Sequence, residues 1–116
     1  MKIDKELLKG STTMMILKLL DSSDMYGYQM IKELERLSDN TFSLKEGTLY
    51  PILHTLESTG MIESYWENTE SARKRKYYNI TKGGEKLLLE KEKEWSLFFR
   101  AVNKVIGGAL VEQICF

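Results

Sequence analysis

The chain has 116 residues and a mass of 13.5 kDa, with 17 basic and 17 acidic side chains and a formal net charge of zero. Hydrophobic residues make up 42% and charged residues 29%, which excludes a wholly disordered chain and allows one domain with a core of its own. The zero net charge argues against a nonspecific polyanion binder, and no apolar run approaches the ~18 residues of a membrane span.

Cysteine and histidine each occur once, as Cys115 and His54. A single cysteine cannot form an internal disulfide, so a reducing, cytoplasmic location without a membrane association is expected. One cysteine and one histidine cannot supply a zinc site of the usual kind, and neither a metal nor a cofactor is predicted. The sequence shows no catalytic triad, phosphate loop or carboxylate–histidine cluster, so the chain is predicted not to be an enzyme.

Three helices are predicted in the first half of the chain. The first covers 4–20, with Asp4 as its N-cap and an apolar stripe of Leu7, Leu8, Met14, Met15, Leu17, Leu19 and Leu20. The second covers about 26–38, with an apolar face of Met30, Ile31, Leu34 and Leu37. The third covers about 44–59, opened by a Ser43–Glu46 capping box and closed by Gly60. Pro51 lies inside this helix, so either the helix begins after Ser43 or its first turns are bent.

The period then changes from helical to alternating. Residues 61–66 and 76–80 are predicted as a hairpin around a polar loop at 68–72, with Tyr65 and Trp66 packed on it. Thr81 can cap a fourth helix that runs to about Ile106, where Gly107 and Gly108 stop it. The predicted class is therefore mostly α with a small β hairpin (α+β): a winged helix-turn-helix at 1–81, a dimerisation helix at 82–108 and a tail of undetermined conformation at 109–116. An unrelated three-helix module with a hairpin would produce the same order.

The third helix has the surface of a DNA-reading helix. Leu49, Leu53 and Leu56 share its buried face, and the opposite face is small, polar and free of acidic residues. Small side chains allow a close approach to base edges, and groups near the helix start suit phosphates. The predicted DNA-binding residues on this helix are Lys45, Gly47, Thr48, Tyr50, His54 and Thr55. An ordinary solvent face remains the alternative, and a solvated His54 with no role is also open.

The only local excess of positive charge is the run from Arg73 to Lys76 at the hairpin. Alternate residues of a strand point to opposite faces, so two of the four side chains point each way. Arg73, Lys74 and Arg75 are predicted to contact DNA phosphates beside a minor groove, while Lys76 lies along the body of the protein. A solvated hairpin tip is the alternative. Of Tyr77 and Tyr78, one is expected to point inward and the other outward.

The last helix carries an apolar seam with steps of about three and four residues. Such a seam predicts a homodimer, with interface residues Leu88, Trp95, Phe98, Phe99, Val102 and Ile106. Aromatic rings at a two-fold axis can also line a ligand slot, because symmetry doubles each face. Trp95 and Phe99 are therefore candidate ligand-binding residues, although Trp95 can equally be a packing anchor of the dimer.

Several motifs resemble the PadR family of transcriptional regulators. They are Gly47-Thr48-Leu49-Tyr50-Pro51-Ile52-Leu53, Gly60-Met61-Ile62, Arg75-Lys76-Tyr77-Tyr78-Asn79-Ile80-Thr81 with Gly84, and Tyr26-Gly27-Tyr28-Gln29-Met30. The resemblance covers roughly residues 5–106, and the segments Tyr65-Trp66 and Glu94-Trp95-Ser96 further resemble the LmrR-like multidrug-sensing members. The tail at 109–116 matches nothing in the family pattern.

The resemblance implies a homodimeric winged-helix repressor that binds double-stranded operator DNA. Its third helix would enter the major groove, its wing tip would lie beside the minor groove, and its last helix would form the dimer. In LmrR-like members a tryptophan that matches Trp95 lines a pore where flat aromatic molecules stack, so a planar aromatic ligand that relieves repression is expected. The alternative function is a protein–protein module that has lost DNA binding, which the basic hairpin disfavours.

Overall fold

A computed structural model of the chain describes residues 3–71 and 73–107. In this part of the chain the elements in order are α1 (Lys5–Ser22), β1 (Met25–Tyr26), α2 (Gly27–Leu37), α3 (Glu46–Ser58), β2 (Ile62–Asn68), β3 (Lys74–Ile80) and α4 (Lys82–Ile106). The mostly helical α+β class is confirmed. The predicted tail at 109–116 lies outside the described residues, as does Gly108.

Two of the predicted helix caps are confirmed. The Asp4 carboxylate accepts a hydrogen bond of 2.8 Å from the backbone N–H of Glu6, and the Thr81 hydroxyl accepts one of 3.1 Å from that of Gly84. Each bond satisfies a backbone donor that has no partner within its own helix. At the other end of α4, Gly107 takes the left-handed conformation with φ 76°, which is typical of a glycine that ends a helix.

The predicted capping box at the start of α3 is wrong, and of the two alternatives that Pro51 left open, the structure has the later start. The helix begins at Glu46, after an extended Lys45 that makes no side-chain cap, so Ser43 and Glu46 do not form a capping box. Leu44 is 5% exposed, and its burial holds the chain before the helix in the core. Pro51 is still inside the helix, where it has no N–H to donate to the carbonyl of Gly47, a residue of the exposed first turn.

Gly60 ends α3 as predicted and turns the chain toward β2. Its φ of 78° belongs to the left-handed region that glycine enters at little cost. The N–H of Gly60 donates to the carbonyl of Glu57 at 3.1 Å, and the N–H of Met61 donates to that of Leu56 at 2.9 Å. This paired pattern is the Schellman motif.

The three strands form one antiparallel sheet in the order β1-β3-β2. In the hairpin of β2 and β3, which we call the wing, Tyr65 pairs with Tyr77 and Trp66 pairs with Lys76. Strand β1 was not predicted, because two residues are too few to show an alternating pattern. It pairs Met25 with Tyr78 and thereby ties the start of α2 to the wing.

The core lies where the three N-terminal helices meet the sheet and the first half of α4. Its fully buried large side chains are Ile16, Leu17, Met30, Leu49, Leu53 and Ile62. Leu88 of α4 joins this core at 3% exposure, so it has no surface to offer a second chain. The prediction of Leu88 as an interface residue is therefore corrected to a core residue. Among the residues that the structure describes, no helix has both the length and the hydropathy needed to cross a bilayer.

Candidate nucleic-acid interface

The predicted reading face of α3 is turned to solvent. Leu49, Leu53 and Leu56 are 0%, 1% and 4% exposed, which fixes the rotation of the helix about its axis. The residues of the α3 region that were predicted to bind DNA are all exposed: Lys45, Gly47, Thr48, Tyr50, His54 and Thr55. The Thr55 hydroxyl donates to the carbonyl of Pro51 at 3.1 Å, which leaves its oxygen free to accept a further bond. The face can therefore reach a groove without rearrangement of the core.

Tyr50 lies against the beginning of α2 rather than projecting freely. A Cβ atom added to Gly27 would come within 2.5 Å of the Tyr50 Oη, so only a glycine at this position allows the approach. The side chain of Tyr50 nevertheless stays 44% exposed. Its hydroxyl is thus held in a defined place at the edge of the reading face.

The basic side chains of β3 point alternately to the two sides of the wing, as predicted for a strand. In the register of β2 and β3, Lys74 is opposite Asn68 and Lys76 is opposite Trp66, while Arg75 points to the other side. The Arg75 guanidinium lies 4.5 Å from the centre of the Tyr26 ring, a cation–π contact. Arg73 precedes β3 and is exposed at the tip.

Lys76 lies along the body of the protein, as expected, where its Nζ is 3.6 Å from the Glu57 Oε1. The Ser64 hydroxyl also donates to Glu57. This hydrogen bond is the largest effect on the pKa of Glu57 and, with the Lys76 ammonium, holds that pKa below its ordinary value of 4.5, although burial acts in the opposite direction. Glu57 therefore joins the end of α3 to both strands of the wing.

The side of the wing that faces away from α3 carries a tyrosine cluster, which the sequence did not predict. The rings of Tyr65 and Tyr77 stack with centres 5.8 Å apart, and Tyr26 meets Tyr77 edge-on at 5.4 Å. The Tyr65 hydroxyl donates to the Asp24 Oδ2 at 2.7 Å, which raises the pKa of Tyr65 to about 12. Tyr77 points outward here and Tyr78 points inward at 4% exposure, so the two side chains lie on opposite sides of β3, as expected.

Trp66 does not pack as expected, since its side chain is 64% exposed.

The second half of α4 presents an apolar surface that the other described residues leave exposed. Trp95, Phe98, Val102 and Ile106 are 39%, 58%, 40% and 62% exposed. A groove of about 380 Å³ lies between this half of α4 and the start of α1, lined by Glu6, Leu7, Gly10, Met14, Lys91, Glu94, Trp95 and Phe98. Phe99 does not line the groove; it is half-buried, with its ring centre 5.8 Å from that of Trp95.

Across residues 3–71 and 73–107, no group of three or more histidine, cysteine, aspartate or glutamate side chains is arranged to hold a metal ion.

The model of the transcriptional regulator PadR-like family matches residues 16–90 of the chain. The chain is 36% identical over 106 residues to an uncharacterised protein of Lysinibacillus sphaericus, an alignment that covers 91% of this chain and 97% of the relative. A transcriptional regulator from Clostridium thermocellum superposes with a TM-score of 0.81 at 36% identity, over 86% of this chain and 97% of the other. A PadR family regulator from Eggerthella lenta superposes with a TM-score of 0.76 at 36% identity, over 87% and 86% of the two chains.

The chain therefore belongs to the PadR-like family of transcriptional regulators. The family consists of winged-helix regulators and not of enzymes, in agreement with the prediction from the sequence.

Proposed function

We propose that this protein is a dimeric DNA-binding transcriptional repressor of the cytoplasm, released from its operator by a planar aromatic ligand. The observation that carries the DNA-binding part is the exposed, small and polar face of α3 beside the basic tip of the wing. A transcriptional regulator of Mycobacterium tuberculosis, 28% identical over 90% of this chain and 91% of its own length, supports a role in transcription.

The reading face suits the major groove of double-stranded DNA. Thr48 and Thr55 present hydroxyls that can donate to or accept from base edges, and His54 adds a ring nitrogen. Lys45 and Tyr50 lie near the start of α3, where they can bind flanking phosphates. Arg73 and Lys74 at the wing tip, with Arg75 behind them, would lie beside the adjacent minor groove.

Dimerisation is supported by the uncovered half of α4. Trp95, Phe98, Val102 and Ile106 form a stripe that costs free energy while it faces water. A second copy related by a two-fold axis would cover this stripe with its own equivalent stripe, and Phe99 would complete the packing beneath Trp95. Two copies of α3 would then face two half-sites on the same DNA.

The ligand is supported by the groove between α1 and α4. Trp95 and Phe98 offer the π faces of their rings. Two carboxylates, of Glu6 and Glu94, line the groove against one ammonium, of Lys91. A flat, cationic aromatic molecule matches both features, because stacking and cation–π attraction act together. Phe99 contributes from behind by supporting the Trp95 ring.

Selection of binders from a randomised duplex pool tests the proposal, followed by gel shifts with and without flat aromatic cations. We expect recovery of a sequence with two-fold symmetry and a complex that such a cation dissociates. Recovery of no preferred sequence, with no shift of the DNA upstream of the chain's own gene, would favour the protein–protein module instead.

A further inference from the structure

A cleft of about 340 Å³ lies between the wing and the start of α2, and Tyr50 of α3 forms part of its wall. It is lined by Tyr26, Gly27, Tyr28, Tyr50, Trp66, Arg75, Lys76 and Tyr78. Aromatic rings and two cations line this space, and none of its lining residues is acidic. The 64% exposed indole of Trp66 stands at its border.

The two sides of the wing carry different charge. The side that faces α3 is defined by Ser64 and Lys76, which both bind Glu57, and farther out it presents Trp66, Asn68 and Lys74. Apart from Glu57 at its inner end, this helix-facing side offers amide, indole and ammonium groups to a partner.

The opposite side of the wing carries the acidic groups. Glu63 and Glu67 of β2 point there, and Asp24 lies against the same side through the Tyr65 hydroxyl. Arg75 also leaves the strand on this side, beside its cross-strand neighbour Glu67, but it extends over the Tyr26 ring and reaches the wall of the cleft. A DNA sugar–phosphate strand would be attracted to the helix-facing side of the wing and repelled by the opposite side.

In duplex DNA one sugar–phosphate strand separates each major groove from the neighbouring minor groove. If α3 occupies the major groove and the wing tip lies at the minor groove, that strand must pass between them. The cleft between Tyr50 of α3, the start of α2 and the wing lies on that path. We propose, on the basis of the function proposed above, that the cleft holds this strand, with the Trp66 indole packed on a deoxyribose and with Lys76 and the Tyr50 hydroxyl directed at the adjacent phosphate.

Because Trp66 would pack on a sugar, its contribution to DNA affinity should not depend on the base sequence. Its indole provides apolar area without charge, so its removal should weaken DNA binding about tenfold and leave the salt dependence unchanged. Removal of the Lys76 ammonium should instead reduce the slope of log affinity against log salt by about one unit.

The test uses the full chain and the duplex recovered from the randomised pool. In a Trp95→Phe variant, Trp66 is the remaining tryptophan, so its emission and its quenching by acrylamide report on the cleft alone. We expect the duplex to protect Trp66 from acrylamide. In the otherwise unchanged chain, Trp66→Ala should lower affinity about tenfold at constant salt slope, whereas Glu67→Gln, the adjacent residue on the opposite side, should stay within about twofold of the unchanged chain.

Circular dichroism and the urea midpoint of each variant establish that it is folded before DNA is added; truncation of the exposed Trp66 leaves the core intact. A duplex that binds tightly while Trp66 stays fully accessible, or a Trp66→Ala variant with unchanged affinity, would overturn the inference and leave the proposed function standing. Failure of the unchanged chain to bind any duplex would overturn both.

Discussion

Gly84 is the residue whose replacement should harm the fold most directly. It lies in the first turn of α4, where an added Cβ would overlap the carbonyl oxygen of Met61 and come within 2.7 Å of the Ile80 Cγ1. Because the backbone of Met61 cannot move aside cheaply, Gly84→Ala should lower the free energy of unfolding by roughly 1–3 kcal/mol. Urea denaturation at a fixed protein concentration measures the change.

The neighbouring Gly83 provides the matched control. An added Cβ there would meet nothing closer than 3.6 Å, an ordinary van der Waals distance. Gly83→Ala should therefore leave the protein equally stable or stabilise it by up to about 1 kcal/mol, since alanine is the better helix former. Equal stabilities for the two variants would contradict the close packing of α4 on Met61.

Glu57 should make the stability of the protein depend on pH. Its pKa is lowered in the folded chain, first by the hydrogen bond from Ser64 and then by Lys76, so the unfolded chain binds the proton more tightly. The stabilisation is therefore present above the ordinary value of 4.5 and is lost as the pH falls through the lower folded value. Because the carboxylate is partly exposed, the effect should be below about 1 kcal/mol.

Urea denaturation of the unchanged chain and of Glu57→Gln, at neutral pH and at acidic pH, measures this effect. The variant should be less stable than the unchanged chain at neutral pH, and the difference in their free energies of unfolding should disappear at acidic pH. Glu63→Gln, on the opposite side of β2, is the control, because it replaces a carboxylate of the same strand and leaves the contacts of Ser64 and Lys76 with Glu57 in place. A difference that is constant across this pH range would mean that Glu57 acts through its shape alone.

Among the secondary-structure elements, the wing should contribute DNA affinity that does not depend on the base sequence. Replacing Arg73 and Lys74 together with alanine removes two exposed cations, so binding should weaken on every duplex. The slope of log affinity against log salt should flatten by about one unit for each phosphate that the wing no longer binds. Thr48→Ala in α3 should instead change which sequences are preferred. A wing variant that keeps the full slope would show that the tip does not bind phosphate.

The second half of α4 should hold the dimer. Phe98→Glu places a charge in the predicted apolar interface, where it would be buried without a partner, so the dimer should dissociate. Light scattering during size-exclusion chromatography reads the mass. Leu97→Glu is a close control, because Leu97 is 70% exposed and lies on the other side of the helix from the stripe. The assignment would be wrong if both variants remained dimeric.

At the scale of the whole molecule, the proposed function requires that a ligand near the dimer axis act on DNA through the spacing of the two copies of α3. DNA affinity can change by no more than the ligand's differential affinity for the two spacings. Titration of flat cationic dyes into a Trp66→Phe chain should quench the emission of Trp95, and Trp95→Ala in that background should weaken dye binding. Equal dye affinity in both chains would place the ligand elsewhere and leave Trp95 as a packing residue.

The sequence by itself determined the elements that depend on short-range signals. The apolar period of each helix, the caps at Asp4 and Thr81 and the helix-ending Gly60 act within a few residues, so they could be read without the fold. Which side of α3 is buried also followed from its leucines alone. The motif around Tyr50 and that around Tyr77 identified the family, because backbone turns and reading faces require particular residues at fixed spacing.

Only the tertiary structure decided the features that depend on distant partners. The start of α3 follows the burial of Leu44, strand β1 exists because β3 lies beside it, and Leu88 belongs to the core because α1 and the sheet reach it first. Trp66 is exposed although hairpin tryptophans usually pack, since no element among the described residues covers the outer part of the wing's helix-facing side. The physical reason is that propensity and periodicity act along the chain, whereas burial depends on which surfaces meet across it.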